Sequence, residues 1–358
     1  MSSVRTETQT KKVYKIPAKI PPNAKPIDAE EEQRDLIIEK TEDVVIEEKP
    51  YKMEIVWFNA IGFLLLHLAA LYGTYLCIFS AKFLTTLWGV FTAYLAALAV
   101  TMGAHRLYTH RTFKANKYVR LILVVIQTMA GQNCLWVWIR DHRQHHKYSD
   151  TNGDPHNSSR GFFFCHIGWL MVRKHPDVIR KGKTIDMSDI NQDPMVMFQK
   201  NHYKKLFVIF AIGVPTAIPC LLWNETLWNS FFISFVARLI YSLNFTWLVN
   251  SAAHIFGTRP FTKDMSPAEN SFVSFFGLGE GWHNYHHTFP WDYRAAEFGQ
   301  HFNITTSVID YCTKKGWVYD VKCASQELVK RQAVKKGDGT HPVYGQMNPN
   351  DIPVSENY

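Results

Sequence analysis

The chain has 358 residues, a formal net charge of +8 and a pI near 9.0. An apolar content of 47% and an aromatic content of 14% exclude a wholly disordered chain. The six cysteines form no C-x-x-C pair, which argues against a disulfide framework and against a cysteine zinc site. We also exclude a nucleic-acid binder, because the basic residues lie beside apolar blocks and no nucleic-acid motif occurs.

Four apolar blocks predict four membrane spans arranged as two helical hairpins. The blocks approach or exceed the roughly 20 residues that a helix needs to cross a bilayer. Short polar turns join the first two blocks at Lys82 and the last two at Glu225, and Arg238 is the only charge inside the blocks. We expect the spans at 55–78, 83–104, 206–223 and 227–253. The alternative is a soluble protein whose core helices are unusually apolar.

Charge on the connecting loop predicts the orientation of these spans. Residues 105–205 contain 17 Lys and Arg against 7 Asp and Glu. The positive-inside rule therefore places this loop and both termini in the cytosol. We expect an all-α, multi-pass membrane protein whose cytosolic helical cap includes one helix lying in the membrane interface at 118–138. We divide the chain into a mobile N-terminal segment at 1–50, a main domain at 51–320 and a cytosolic tail at 321–358.

Histidines are the most informative residues, because nine of the sixteen fall in three clusters and at one further position. The clusters follow apolar blocks, so the four-span topology gathers them on one face of the membrane. The spacing i, i+3, i+4 of the second and third clusters predicts that each presents its histidines to one point. His105 and His110 are five residues apart, so we expect them to diverge toward two neighbouring centres. The nine are His105, His110, His142, His145, His146, His254, His283, His286 and His287.

So many imidazoles exceed the four ligands of one zinc ion and suit two metal ions. Imidazole binds Zn, Cu, Fe or Ni, so the ligand type alone does not identify the metal. Asn250 lies one helical turn before His254 and faces the same way.

The histidine boxes and the phrases around them resemble the membrane fatty-acyl-CoA desaturases, the stearoyl-CoA desaturase family, in its insect-type branch. The likeness extends from about Trp57 to Asp320 and includes residues 103–107, 140–143, 154–157, 160–164, 247–254 and 279–283. It implies an oxidoreductase of the endoplasmic reticulum membrane that inserts a cis double bond into a saturated long-chain fatty acyl-CoA. The resemblance also implies that the nine histidines hold two Fe²⁺ ions, with Asn250 binding one through water.

The family further implies O₂ as co-substrate and electrons from cytochrome b5 and its reductase. The chain has no His-Pro-Gly-Gly motif, so we expect no fused haem domain. Removal of hydrogen from an unactivated methylene pair requires that the acyl chain be held in position, and we expect a bent apolar tunnel to hold it. We also expect membrane lipids around the spans. The resemblance implies that the tunnel is lined by Gln132, Trp138, Thr246 and Trp247. It implies contacts with coenzyme A from Asn59, Asn133, Arg140, Asp141, Arg173 and Lys174.

Three positions depart from the pattern of the relatives. They weaken the inference that this protein introduces its double bond at the same position as those relatives. Ala93 stands where a bulky residue is usual, so the tunnel is expected to be deeper there, with Ala97 a second chain-length candidate. Gly131 and Val137 replace an expected aromatic and an expected acidic residue. We expect a Δ9 product, with Δ11 or another position, as in pheromone precursors, as the alternative. Rival functions are a di-iron hydroxylase, a sphingolipid desaturase, and a histidine-rich zinc receptor or transporter.

Overall fold

The computed structural model describes residues 51–297 and 299–351 together with the backbone of Ala24–Ile27. The segment at 1–50, which we expected to be mobile, therefore lies outside the described residues except for those four. The helices in chain order are α1 Trp57–Phe79, α2 Phe83–Thr109, α3 Lys117–Ala130, α4 Leu135–Tyr148, α5 Phe162–His166, α6 Pro176–Gly182, α7 Ser188–Asn191, α8 Pro194–Trp223, α9 Leu227–Ile255, α10 Ser271–Phe276, α11 His283–Thr288, α12 Ile304–Lys314 and α13 Gln326–Lys336.

Helices α1, α2, α8 and α9 are long and apolar enough to span a bilayer. The chain is mostly helical, so the expected all-α class with four spans in two hairpins is confirmed. The helix that contains the span expected at 206–223 starts earlier, at Pro194, because Asp193 caps its first turn through two backbone N–H groups. The turns of both hairpins meet, since Glu225 accepts hydrogen bonds from Lys82 N at 2.8 Å and Thr85 Oγ1 at 2.7 Å.

The interfacial helix expected at 118–138 is interrupted. Helix α3 ends at Ala130, Gly131 caps it with a left-handed φ of 70°, and α4 leaves at 84° to it. A Cβ at Gly131 would lie 2.6 Å from Leu239 Cδ1, so both the conformation and the space favour glycine. This turn changes the direction of the chain, so that the histidine-bearing helix α4 packs against the end of α2.

The end of α2 is π-helical over Ala99–Thr109, and every residue in this stretch is buried. Its hydrogen bonds run from residue i+5 back to residue i, as His110 N does to His105 O at 3.1 Å. Residues five positions apart therefore lie on the same face here. This local geometry decides where His105 and His110 point.

Two pairs of short strands lie in or against the cap, which we define as residues 110–193 and 256–320. Strand β1 (Ala24–Ile27) runs parallel to β4 (Val321–Ala324), and β2 (Lys114–Ala115) runs antiparallel to β3 (Val318–Tyr319). Residues 321–351, which we expected to form a tail, fold onto the cap. Leu328 of α13 packs in one cluster with Phe261, Tyr285 and Trp291.

Candidate metal centre and adjoining cavity

The nine histidines converge at the junction of the spans and the cap, where they form two separate groups. In each group one ring nitrogen of every member lies within 4.8 Å of those of the others. The five-histidine group consists of His105, His110, His142, His146 and His286. The four-histidine group consists of His145, His254, His283 and His287.

This partition differs from the one expected from spacing. Each cluster on a helix is divided between the two groups rather than facing one point, because an i, i+3 pair is offset around the helix. His145 thus leaves His142 and His146 and joins the other group. His105 and His110 share a group instead of diverging, since the π-helical end of α2 aligns residues five apart.

The separation of the ring nitrogens fits shared metal ions. His286 Nε2 lies 2.9 Å from His105 Nε2 and 3.0 Å from His146 Nε2. His283 Nε2 lies 3.1 Å from His254 Nε2 and from His287 Nε2. Metal–nitrogen bonds of about 2.0–2.1 Å would place neighbouring ligands about 3 Å apart.

Hydrogen bonds alone do not explain these contacts. A neutral imidazole nitrogen carries either one proton or one lone pair, so His286 Nε2 makes a full hydrogen bond with only one of its two close neighbours. Burial and the neighbouring imidazoles hold the pKa of six of the nine histidines well below its usual value. These rings are therefore neutral and available as ligands. This applies to His110, His142, His146, His283, His286 and His287.

Two carboxylates and one hydroxyl orient three of the rings through contacts with their Nδ1 atoms. His105 Nδ1 lies 2.7 Å from Glu280 Oε2, and His145 Nδ1 lies 2.9 Å from Asp154 Oδ2. His254 Nδ1 lies 3.1 Å from the Ser266 hydroxyl. Such contacts place the proton on Nδ1 and direct Nε2 toward the group centre.

Sequence reasoning missed these supporting residues. Burial alone would raise the pKa of the Asp154 carboxyl, but the nearby His145 and His156 imidazoles hold it at about 2. The pKa of Glu280 is also held at about 2, where burial is outweighed by His105 and Arg106. Both carboxylates are therefore ionised. The available signal was that both acids lie in the motifs that surround the histidine boxes.

A cavity of about 490 Å³ leads from the histidines into the spans. His105, His142, His283 and Asn250 lie at one end, and Thr74 and Cys77 of α1 lie toward the other. Most of the remaining lining comes from α2 and α9, whereas α8 contributes none of the lining residues among those described. The wall is predominantly apolar, as a site for a hydrocarbon chain requires.

Several of the expected tunnel residues line this cavity. Trp138, Thr246, Ala93 and Ala97 are among the lining residues. Gln132 stands just behind them, donating to Thr246 Oγ1 at 2.7 Å and accepting from Trp138 Nε1 at 3.3 Å.

Trp247 does not line the cavity. Its ring instead packs edge-on against Phe63 and His166. Successive residues of a helix point about 100° apart, so Thr246 and Trp247 face different sides of α9.

The polar residues expected to contact coenzyme A form a cluster beside the start of α1. Asp141 accepts from Arg140 Nε at 2.8 Å and from Lys174 Nζ at 3.1 Å. Arg173 pairs with Glu54 at 2.8 Å and is largely exposed.

The amide residues lie at two different places. Asn59 Nδ2 donates to Leu170 O at 2.9 Å, which is close in sequence to Arg173 and Lys174. Asn133 occupies the break between α3 and α4 with a left-handed φ of 75°. No contact joins Asn133 to the cluster among the described residues.

The fold and the site define a membrane protein with two histidine groups suited to metal ions at the mouth of an apolar cavity. The family model described as fatty acid desaturase matches residues 81–319. The chain is 51% identical to an acyl-CoA Delta-9 desaturase of Acheta domesticus, over 83% of each chain. It is 50% identical to an acyl-CoA Delta12-desaturase of the same organism, over 83% of this chain and 84% of the relative. It is 48% identical to an acyl-CoA Delta(11) desaturase of Trichoplusia ni, over 85% and 87%.

The chain belongs to the fatty acid desaturase family, as the resemblance predicted. It is an oxidoreductase, and the family argues against a zinc receptor or transporter. Relatives that carry three different bond positions in their names are almost equally similar to it, so identity does not select a position.

Proposed function

We propose that this protein is a long-chain fatty acyl-CoA desaturase of the endoplasmic reticulum, with its cap and both termini in the cytosol. The observation that carries the proposal is the cavity, which begins at three of the nine histidines and continues between the spans. A saturated chain in this cavity passes the metal centre with its methylene groups held in place. The close similarity to acyl-CoA desaturases supports the same substrate class.

The two histidine groups would each hold one iron ion, and Asn250 would bind one of them through water. When bound, the irons supply the O₂ activation that removal of hydrogen from an unactivated methylene pair requires. Electrons would come from cytochrome b5 and its reductase. The protein's own residues bind the chain, fix its bend and exclude water from the reacting carbons.

Within this scheme the cluster at the start of α1 receives the coenzyme A head. Arg140, Arg173 and Lys174 offer charge to its phosphates, and Asp141 holds Arg140 and Lys174 in place. The cavity wall formed by Trp138 and Thr246, with Gln132 behind it, then sets which carbons face the histidines. We expect a cis Δ9 product.

Expression in a yeast strain without its own acyl-CoA desaturase tests the proposal. Mass spectrometry of the lipids would detect a new monounsaturated acid and locate its double bond. The His287→Ala variant provides the matched control and is expected to yield no product. Absence of product from an iron-loaded wild-type protein supplied with saturated C14 to C20 chains would contradict the proposal and favour a hydroxylase or sphingolipid desaturase.

A further inference from the structure

We propose that Asp154 is a positioning residue that selectively holds the ion of the four-histidine group, and that Glu280 serves the five-histidine group in the same way. This inference rests on the proposed metal-binding function. It assigns two residues outside the ligand set to different ions, and it predicts that the two ions can be released separately.

Asp154 is held rigidly against His145. Its side chain is 0% exposed, and Oδ2 accepts from His145 Nδ1 and from Asp150 N, each at 2.9 Å. Oδ1 accepts from His156 N at 3.1 Å. Both oxygens are therefore engaged, so the carboxylate fixes the orientation of the His145 ring and its Nδ1–H tautomer.

A second histidine of the same group is anchored to the same loop. The Ser266 hydroxyl lies at His254 Nδ1 and donates a short hydrogen bond to Asp150. Asp150 N is in turn bound by Asp154. Two of the four histidines thus depend on the acidic loop that contains Asp150 and Asp154.

The five-histidine group has a different arrangement. Its supporting carboxylate, Glu280, shares its charge with Arg106, which donates to Oε1 at 2.8 Å. Each group also contains one ring whose buried Nδ1 atom has no hydrogen-bond partner, His286 in this group and His283 in the other, so the difference lies in Arg106. The five-histidine group has one more imidazole ligand than the other group. Loss of one supporting contact should therefore weaken its binding of an ion by a smaller fraction.

Electrostatics gives the direction of the effect. A carboxylate hydrogen-bonded to Nδ1 increases electron donation from Nε2 and stabilises a cation bound there. Loss of such an outer partner lowers metal affinity about 10- to 100-fold. Because Asp154 contacts His145 and Glu280 contacts His105, each loss should affect the group to which that histidine belongs.

The experiment uses the full chain, purified in detergent and loaded with ⁵⁷Fe²⁺ without oxygen. Iron per chain, Mössbauer spectra and release to a chelator are measured for Asp154→Asn and Glu280→Gln. We expect Asp154→Asn to release one of two ions about 10- to 100-fold more readily. The lost spectral component should be the one that His254→Ala also loses, whereas Glu280→Gln should lose the other.

Glu225→Gln is the matched control. This carboxylate lies at the opposite ends of the spans and accepts hydrogen bonds from Thr226 N at 2.9 Å and Asn229 Nδ2 at 3.0 Å. The variant should keep both ions. If Asp154→Asn fails to fold, Ser266→Ala tests the same group and should labilise the same component.

The inference would be overturned by a folded Asp154→Asn protein that keeps both ions at the wild-type rate, or by one that loses both together. A wild-type protein that takes up no iron would instead contradict the proposed function. Wild-type uptake of two ions, with no difference between Asp154→Asn and Glu280→Gln, would overturn this inference alone.

Discussion

The side-chain amide of Gln132 donates a hydrogen bond of 2.7 Å to the hydroxyl of Thr246. The contact joins the break between α3 and α4 to the fourth span, 114 residues further along the chain. The Thr246 hydroxyl in turn donates a hydrogen bond to Ser242 O at 3.0 Å, and Trp138 Nε1 donates to the Gln132 side-chain oxygen at 3.3 Å. A sequence of hydrogen bonds thereby fixes the cavity wall one helical turn from Asn250.

The Thr246→Val variant tests whether this wall sets the position of the double bond. Valine keeps the volume but removes the acceptor, leaving the Gln132 amide without that partner at a cost of about 1–3 kcal/mol. We expect products with the double bond at more than one position, as located by mass spectrometry. Thr246→Ser keeps the hydroxyl and should retain one product. A single unchanged product from Thr246→Val would show that the contact does not set the position.

The Ala93→Phe variant tests the far part of the cavity. A phenyl ring there would occupy space now open between α2 and α9, so the longest chains should be excluded. Each methylene kept out of the cavity forfeits about 0.8 kcal/mol, or about fourfold in binding. We expect the products to shift toward shorter chains in a competition between C14 and C18 substrates.

Leu87→Phe places the same phenyl ring on α2 at an exposed position outside the cavity lining and serves as the control. Its product profile should match that of the wild type. An identical profile for Ala93→Phe would mean that position 93 does not limit chain length.

The His146→Ala variant tests the metal-ligand role of the five-histidine group. Loss of one of five converging imidazoles should abolish desaturation while the protein stays inserted in the membrane. The control is His202→Ala, because His202 lies on α8, stacks on Phe198 and belongs to neither group. Product formation and membrane fractionation would be measured together. Normal turnover by His146→Ala would remove that residue from the site.

Arg238 is the charged residue that the sequence places inside a predicted span, and its contacts show what it does there. Its guanidinium is buried and donates to three carbonyls, at 2.8–3.0 Å: Ser234 O, Met129 O and Ala211 O. Pro215, four residues after Ala211, has no N–H to offer that carbonyl. Arg238 therefore joins α3, α8 and α9, and it also lines the apolar cavity.

Arg238→Met should lower the unfolding temperature of the detergent-solubilised protein. The loss leaves buried carbonyls without this donor, at about 1–3 kcal/mol for each group that finds no other. Arg238→Lys has a single donor group and should recover only part of the stability. An unchanged unfolding temperature in Arg238→Met would contradict this role.

Charge-free blocks were sufficient to predict the four spans, because a bilayer-spanning helix must be apolar along its length. The start of α8 escaped prediction because its first turns carry Lys200, Lys204 and Lys205, which lie outside any apolar block. The fold of residues 321–351 escaped for a different reason. Their buried partners, such as Phe261 and Tyr285, are distant in sequence and belong to another element.

The nine histidines were recognisable from their spacing, but their division into five and four was not. An ideal helix separates His105 from His110, and only the π-helical turns of α2 bring them together. The supporting acids were also unpredictable, since Glu280 and His105 are 175 positions apart and meet through tertiary packing.

The path of the chain through the centre constrains the order in which a ribosome can build it. The first of the nine histidines is at 105 and the last at 287. Asp292 holds helix α11 in place, because it accepts hydrogen bonds from the Tyr285 hydroxyl of that helix and from Ala324 N. Both hairpins have been synthesised well before residue 324 leaves the ribosome. The nascent chain therefore enters the membrane before all nine histidines are present, and the full set of ligands can assemble only after residue 287 has been synthesised.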